Sequence, residues 1–96
     1  MEYKPHPIDL SGIELGEKLS NDIEVISKNI HETWAEQRTR AGWVYGSVNN
    51  FEKKTHSSLV EYEALSEAEK DVDRATVTQT IKMLLWLGYK IEFGGE

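Results

Sequence analysis

The sequence predicts a mainly α fold: two long helices, a long polar loop between them, and short strands at the chain ends. Three observations predict it. Ile23, Ile26, Ile30 and Trp34 recur at helical spacing and form an apolar stripe. Ser66-Glu67-Ala68-Glu69 is a capping-box pattern that opens a second periodic run. Tyr89-Lys90-Ile91-Glu92-Phe93 alternates apolar and polar residues, as a half-exposed strand does.

Taken in order, Met1 to Leu19 reads as extended or irregular. Pro5 and Pro7 fix their own φ and push Lys4 and His6 toward β or polyproline geometry. Tyr3 is placed to join a short edge strand, and Gly12 and Gly16 mark turns. The first helix is predicted from about Ser20 to Ala41. Ser20 or Asn21 caps it, Asp22 and Glu24 put negative charge in its first turn, and Arg38 and Arg40 sit in its last. Gly42 follows as a left-handed stop. Residues 46–61 lack clean periodicity and read as loop, with Phe51, Leu59 and Tyr62 available to pin it down. The second helix is predicted from Ser66 to Leu87, with Leu65 as staple residue and Gly88 as stop. Its apolar rows, Ala68-Val72-Ala75 and Val77-Ile81-Leu84-Leu85, shift near Asp73–Thr76, which predicts a break or bend there. No repeat or domain boundary interrupts residues 1–96, so one domain is expected.

Composition excludes several functions. A net charge of −6 opposes nucleic acid and anionic membranes, both of which need basic surface. Without cysteine there is no disulfide, thiolate zinc site or thiol nucleophile. The N-terminal segment, with Pro5, His6, Pro7 and Asp9, is not a signal peptide. The longest apolar run, Met83 to Leu87, is far short of the ~20 residues that span a bilayer. A soluble protein is expected, with the cytoplasm as default location. His6, His31 and His56 lack metal-ligand spacing, and no glycine-rich phosphate loop occurs, so neither metal nor cofactor is expected.

The chemistry concentrates around the end of the first helix. His31, Trp34 and Arg38 share one helical face, and Gly42 turns the chain so that Trp43 and Tyr45 fold back toward it. An aromatic wall beside an arginine suits a planar ring carrying an anion, since the ring stacks while the guanidinium forks onto the charge. Equally, Trp34 and Trp43 fill a thin core that His31 and Arg38 close with hydrogen bonds. Glu69, Lys70, Asp73 and Arg74 read as a solvated ion-paired helix face; the alternative has Lys70 or Arg74 facing the aromatic wall. Lys53 to Ser58 reads as an exposed loop. Nothing resembles a catalytic constellation, so no enzyme activity is expected.

Several segments together resemble one family. They are Tyr3-x-Pro5-x-Pro7-Ile8-Asp9, Asn29-x-His31-Glu32-x-Trp34-Ala35-x-x-Arg38, Gly42-Trp43-x-Tyr45-Gly46, Leu59-Val60-x-Tyr62-x-x-Leu65, Glu69-Lys70-x-x-Asp73-Arg74 and Gly88-Tyr89. In this order they resemble the repeat domain of ryanodine receptors, the RyR domain, over almost the whole chain. The resemblance implies two antiparallel helices flanked by short strands and a non-catalytic binding or regulatory module. In the channels such repeats pack in tandem about a pseudo-twofold axis. A single repeat therefore implies a homodimer, for which the small expected core also argues. The cleft of the paired repeats is similar to an adenine-nucleotide pocket, which carries over to Trp34 with His31, Arg38, Trp43 and Tyr45 around it. The alternative is a protein-interaction or homodimerisation module with no small-molecule ligand. This sequence departs from the family in having Ser57 and Glu61 where prolines often precede the loop leucine and tyrosine, so a less rigid loop is expected. It also lacks a counterpart of the phosphorylation segment between paired repeats, which weakens any such role for Ser57 or Ser58.

Overall fold

Two helices account for the fold. The computed structural model describes residues 2–95, so Met1 and Glu96, the ends of the expected single domain, lie outside the described residues. Helix α1 spans Glu17–Arg40 and α2 spans Glu67–Trp86. Between them come β1 (Val44–Tyr45), β2 (Thr55–His56) and a 3₁₀ turn at Tyr62–Ala64. The helices run antiparallel. Ile23 of α1 shares a depression with Thr78 and Lys82, whereas His31 and Trp34, further along α1, face Glu69 and Val72, earlier in α2.

Local rules set most boundaries. At α2 the Ser66 side chain accepts the Glu69 backbone N–H while Glu69 reaches back to the Ser66 N–H, a complete capping box. Both helices end in Schellman motifs. Gly42 (φ 92°) donates to Thr39 O and Trp43 N–H to Arg38 O; Gly88 (φ 105°) donates to Leu85 O and Tyr89 N–H to Leu84 O. Lys54 adds a side-chain bond from Nζ to Ala41 O at 2.8 Å, placing a cation at the negative end of α1. α1 starts earlier than expected, after Gly16 at φ 81° rather than at Ser20 or Asn21. Its first-turn acid is therefore Glu17. α2 is continuous through Asp73–Thr76, where a bend was expected.

The strands are not terminal. Glu2–Leu10 and Tyr89–Gly95 have no regular structure, and both Tyr3 and Phe93 are exposed. Alternation at Tyr89–Phe93 produces no strand because the described residues give it no neighbouring strand to pair with. Apart from an isolated antiparallel bridge between Asn50 and Thr55, the strand pairing among the described residues spans the start of the expected loop: β1 immediately precedes it, β2 lies within it, and the two run parallel with Val44 opposite Thr55 and Tyr45 opposite His56. Gly46 permits this pairing, since a Cβ there would come within 2.6 Å of Thr55 Cβ.

The core is thin. Leu10, Trp43, Tyr62, Leu65 and Val77 are the buried apolar residues, joined by Ser27 and His31. The buried line of α1 thus passes through two polar residues, and Ile30 of the expected stripe is exposed. Each polar residue is satisfied: Ser27 Oγ donates to Ile23 O at 2.8 Å and His31 Nε2 donates to Val60 O at 2.7 Å. On α2 the row Ala68-Val72-Ala75 is exposed and Val77 carries the buried contact.

A charged bridge joins the helices. Arg74 forks onto Glu24, Nε to Oε2 at 2.7 Å and Nη2 to Oε1 at 2.9 Å, and also donates to Asp71 and Glu67. Tyr62 Oη donates to Glu24 Oε1 at 2.6 Å. Bonds from Arg74 and then Tyr62 hold Glu24 down from 4.5 to about 2. Burial, and then the bond to Glu24, push Tyr62 up from 10.0 to about 12. Arg74 holds Glu67 low, Lys28 holds Glu63 low, and Ser58 holds Glu69 low. The carboxylates, depressed in the fold, contribute stability that is present above pH 4.5 and lost as pH falls toward about 2. Tyr62, raised in the fold, contributes stability that is present below pH 10.0 and lost as pH rises toward about 12. Thermal melts across pH are expected to show a plateau between these limits, with Glu24→Gln flattening the acid limb. Salt should shrink the same contribution, because the pairs are largely exposed.

Candidate functional site

Helix α1 sets His31 and Trp34 one turn apart on its inner side, and their rings stack at 5.7 Å between centroids with 28° between planes. The β2 strand brings His56 edge-on to Trp34, at 5.0 Å and 75°. These three rings, with Ser58, Leu65, Glu69, Val72 and Asp73, line an open recess of about 250 Å³. Trp34 is half-buried, so its indole forms wall rather than filling.

The five residues singled out from the sequence divide into groups. His31 and Trp34 line the recess. Trp43 is buried, packs edge-on against Phe51 at 5.2 Å and lies 6.3 Å from His56. Trp43 and the exposed Tyr45 border a separate depression with Ala35 and Thr39. Arg38 lines neither space; its guanidinium carbon sits 5.6 Å from the Trp34 ring and 4.8 Å from the Trp43 ring. Trp34 and Arg38 therefore do project to the same side of one continuous helix. Arg40 pairs with Glu36, and Arg74 with Glu24, Glu67 and Asp71, whereas Arg38 has no carboxylate partner among the described residues.

Lys70 and Arg74 are not walls of the recess. Lys70 pairs with Glu67 and lies 5.5 Å from the Tyr62 ring, and Arg74 is held by its three carboxylates. The polar walls are instead His56, Ser58, Glu69 and Asp73, none of which the sequence singled out as site residues. Glu69 is legible as a cap and as one charge of an ion-paired helix face. Asp73 reads as one more charge on a charged helix, and His56 reaches the recess only through the β1–β2 pairing. Among the described residues, no three His, Asp or Glu side chains come together as metal ligands, and no helix is long and apolar enough to cross a membrane.

The described residues thus form an antiparallel helix pair with a two-strand insert between the helices and an indole wall at a shallow recess. A family model described as "RyR domain" matches residues 3–93, nearly the whole chain. The protein belongs to the RyR domain family.

Proposed function

We propose that this chain is a non-catalytic binding module whose recess beside Trp34 receives a planar ring while Arg38 receives an anionic group of the same ligand, an adenine nucleotide or a similar molecule. One observation carries the reading: a half-exposed indole forms the wall of an open recess, and an arginine without a carboxylate partner lies against that same indole. An indole offers stacking area and an unpaired guanidinium offers forked bonds to phosphate. The non-catalytic part rests on the one hydroxyl–carboxylate pair at the recess among the described residues, Ser58 with Glu69. The Ser58 hydroxyl donates to Glu69, but that carboxylate also accepts from Ser66 and is held below its usual range, which makes it a weak base.

Titrating adenosine 5′-monophosphate is expected to change tryptophan fluorescence and raise the melting temperature. Arg38→Gln should weaken the nucleotide by about 10-fold or more, the worth of a charged hydrogen bond, and leave plain adenosine unaffected. No response at millimolar nucleotide, with Trp34→Ala behaving as the unaltered chain does, would end this reading.

A second reading, self-association, is supported by surface area. A compact monomer of 11.0 kDa exposes roughly 5,600 Å², whereas this chain exposes 7620 Å². Its radius of gyration is 16.4 Å, against about 12.5 Å for a compact domain of this length. The excess contains Leu84, Trp86, Leu87, Tyr89, Ile91 and Phe93, all exposed at the end of α2 and beyond. A second copy of the chain is the partner this surface fits.

A further inference from the structure

The walls of the recess are unequal in their hydrogen-bonding sense. His31 Nε2 carries a proton, because it donates to Val60 O, so in the neutral ring Nδ1 is an acceptor. That Nδ1 has no hydrogen-bond partner among the described residues. No buried side-chain nitrogen or oxygen among the described residues is left unpartnered, so Nδ1 is open to its surroundings. His56 shows the reverse assignment. Its Nδ1 accepts the Ser58 backbone N–H at 3.0 Å, which leaves Nε2–H as a donor.

The remaining polar walls also accept. The Ser58 hydroxyl proton is committed to Glu69 Oε2, and Glu69 Oε1 takes the Ser66 N–H and hydroxyl. A carboxylate has about four lone-pair sites, so Glu69 keeps some accepting capacity. Asp73 is half-buried at the recess and has no side-chain partner among the described residues. Asp73, His31 Nδ1 and Glu69 thus accept, and His56 Nε2–H donates. An occupant fits this lining when it sets an N–H group against Asp73. A carbonyl set against Asp73 would face a second acceptor with no proton between them, and displacing water to make that contact costs affinity.

We propose that the recess selects a planar ring bearing an exocyclic amino group over the same ring bearing a carbonyl there, with Asp73 as the selecting residue. This rests on the ring-binding reading above and adds to it which edge of the ring is read and by what.

Adenosine and inosine 5′-monophosphates share sugar and phosphate and differ along one ring edge: adenine carries a 6-amino donor beside an accepting N1, hypoxanthine a 6-carbonyl beside an N1–H, so the comparison reads the group set against Asp73 when both rings seat in the same register. Calorimetric titration of the intact chain is expected to give adenosine 5′-monophosphate about a tenfold advantage or more, as one well-placed hydrogen bond against a mismatched one provides. In Asp73→Asn the amide can donate to the carbonyl, so the ratio should fall toward one with the melting curve unchanged. Equal binding of the two nucleotides by the unaltered chain overturns the selection and leaves ring binding standing. An undiminished preference in Asp73→Asn removes Asp73 from the role. If neither nucleotide binds, ring binding and selection fall together; where both bind, Trp34→Ala should weaken both alike, and an unchanged affinity in it would remove the ring-binding reading.

Discussion

Replacing Trp43 by alanine is expected to bring the chain to the edge of unfolding at ordinary temperatures. Truncating a buried tryptophan costs about 3–5 kcal/mol through lost burial and the cavity left behind. A domain of this size has roughly 5–15 kcal/mol in total, and the thin core argues for the low end. Trp43 is one of five buried apolar residues among those described, and no other has as large a side chain. It also joins the end of α1 to the loop. Its backbone N–H closes the end of α1 on Arg38 O, its ring meets the Arg38 guanidinium at 4.8 Å, and the same ring makes a T-shaped contact with Phe51 from the loop. With about 4–8 °C per kcal/mol for domains of this length, the melting temperature should fall by at least about 12 °C. Trp43→Phe, which keeps an aromatic ring in place, should recover most of the loss. A fall of under about 5 °C in Trp43→Ala, read by circular dichroism, would show that the core does not depend on this indole.

That asymmetry between the two tryptophans of the central motif is what the sequence alone could not resolve. Trp34 and Trp43 look alike in a list of residues, and both are compatible with packing or with a pocket. The difference arises from geometry outside the helix. Gly42 turns the chain back so that Trp43 enters the interior, while Trp34 stays half-exposed beside His56 from β2. Signals confined to one turn of chain were legible: the capping box at Ser66, the stops at Gly42 and Gly88, and the helical run that carries Arg38 onto the same side as Trp34. Signals that depend on distant partners were not. Ser27 and His31 break the apolar stripe because they bond to Ile23 O and Val60 O, and the second of these acceptors lies in the loop. The alternating tail from Tyr89 to Phe93 resembles a strand in pattern, yet pattern alone supplies no neighbour to pair with. The polar walls of the recess are illegible for the same reason, since Asp73 is distinguished only by its lack of a partner among the described residues.

The second large effect concerns the apolar tail itself. The unaltered chain is expected to sediment as a dimer of twice 11.0 kDa, and Leu87→Lys combined with Tyr89→Lys is expected to return it to monomer. An interface of standard size hides about 800 Å² on each partner, and permanent dimers hide more. The surface in excess of a compact monomer is roughly 2,000 Å² by area scaling, so a dimer of either kind fits within it. Leu87 and Tyr89 are 59% and 63% exposed, so lysine at these positions loses little within one chain while placing charge in the middle of the proposed contact. The net charge of −6 opposes association of two copies, and salt should therefore strengthen the dimer rather than weaken it. That salt dependence separates apolar association from ion pairing, which salt would weaken. The melting temperature of the unaltered chain should rise with its concentration, as it must when folding and association are linked. A monomer at every concentration to the millimolar range, with melting unaffected by dilution, would remove the proposal. The recess draws its α2 walls from Glu69, Val72 and Asp73, at the opposite end of the helix from Leu87. The lysine variants should thus leave the nucleotide response intact, and a loss of both together would mean that the recess is complete only in the dimer.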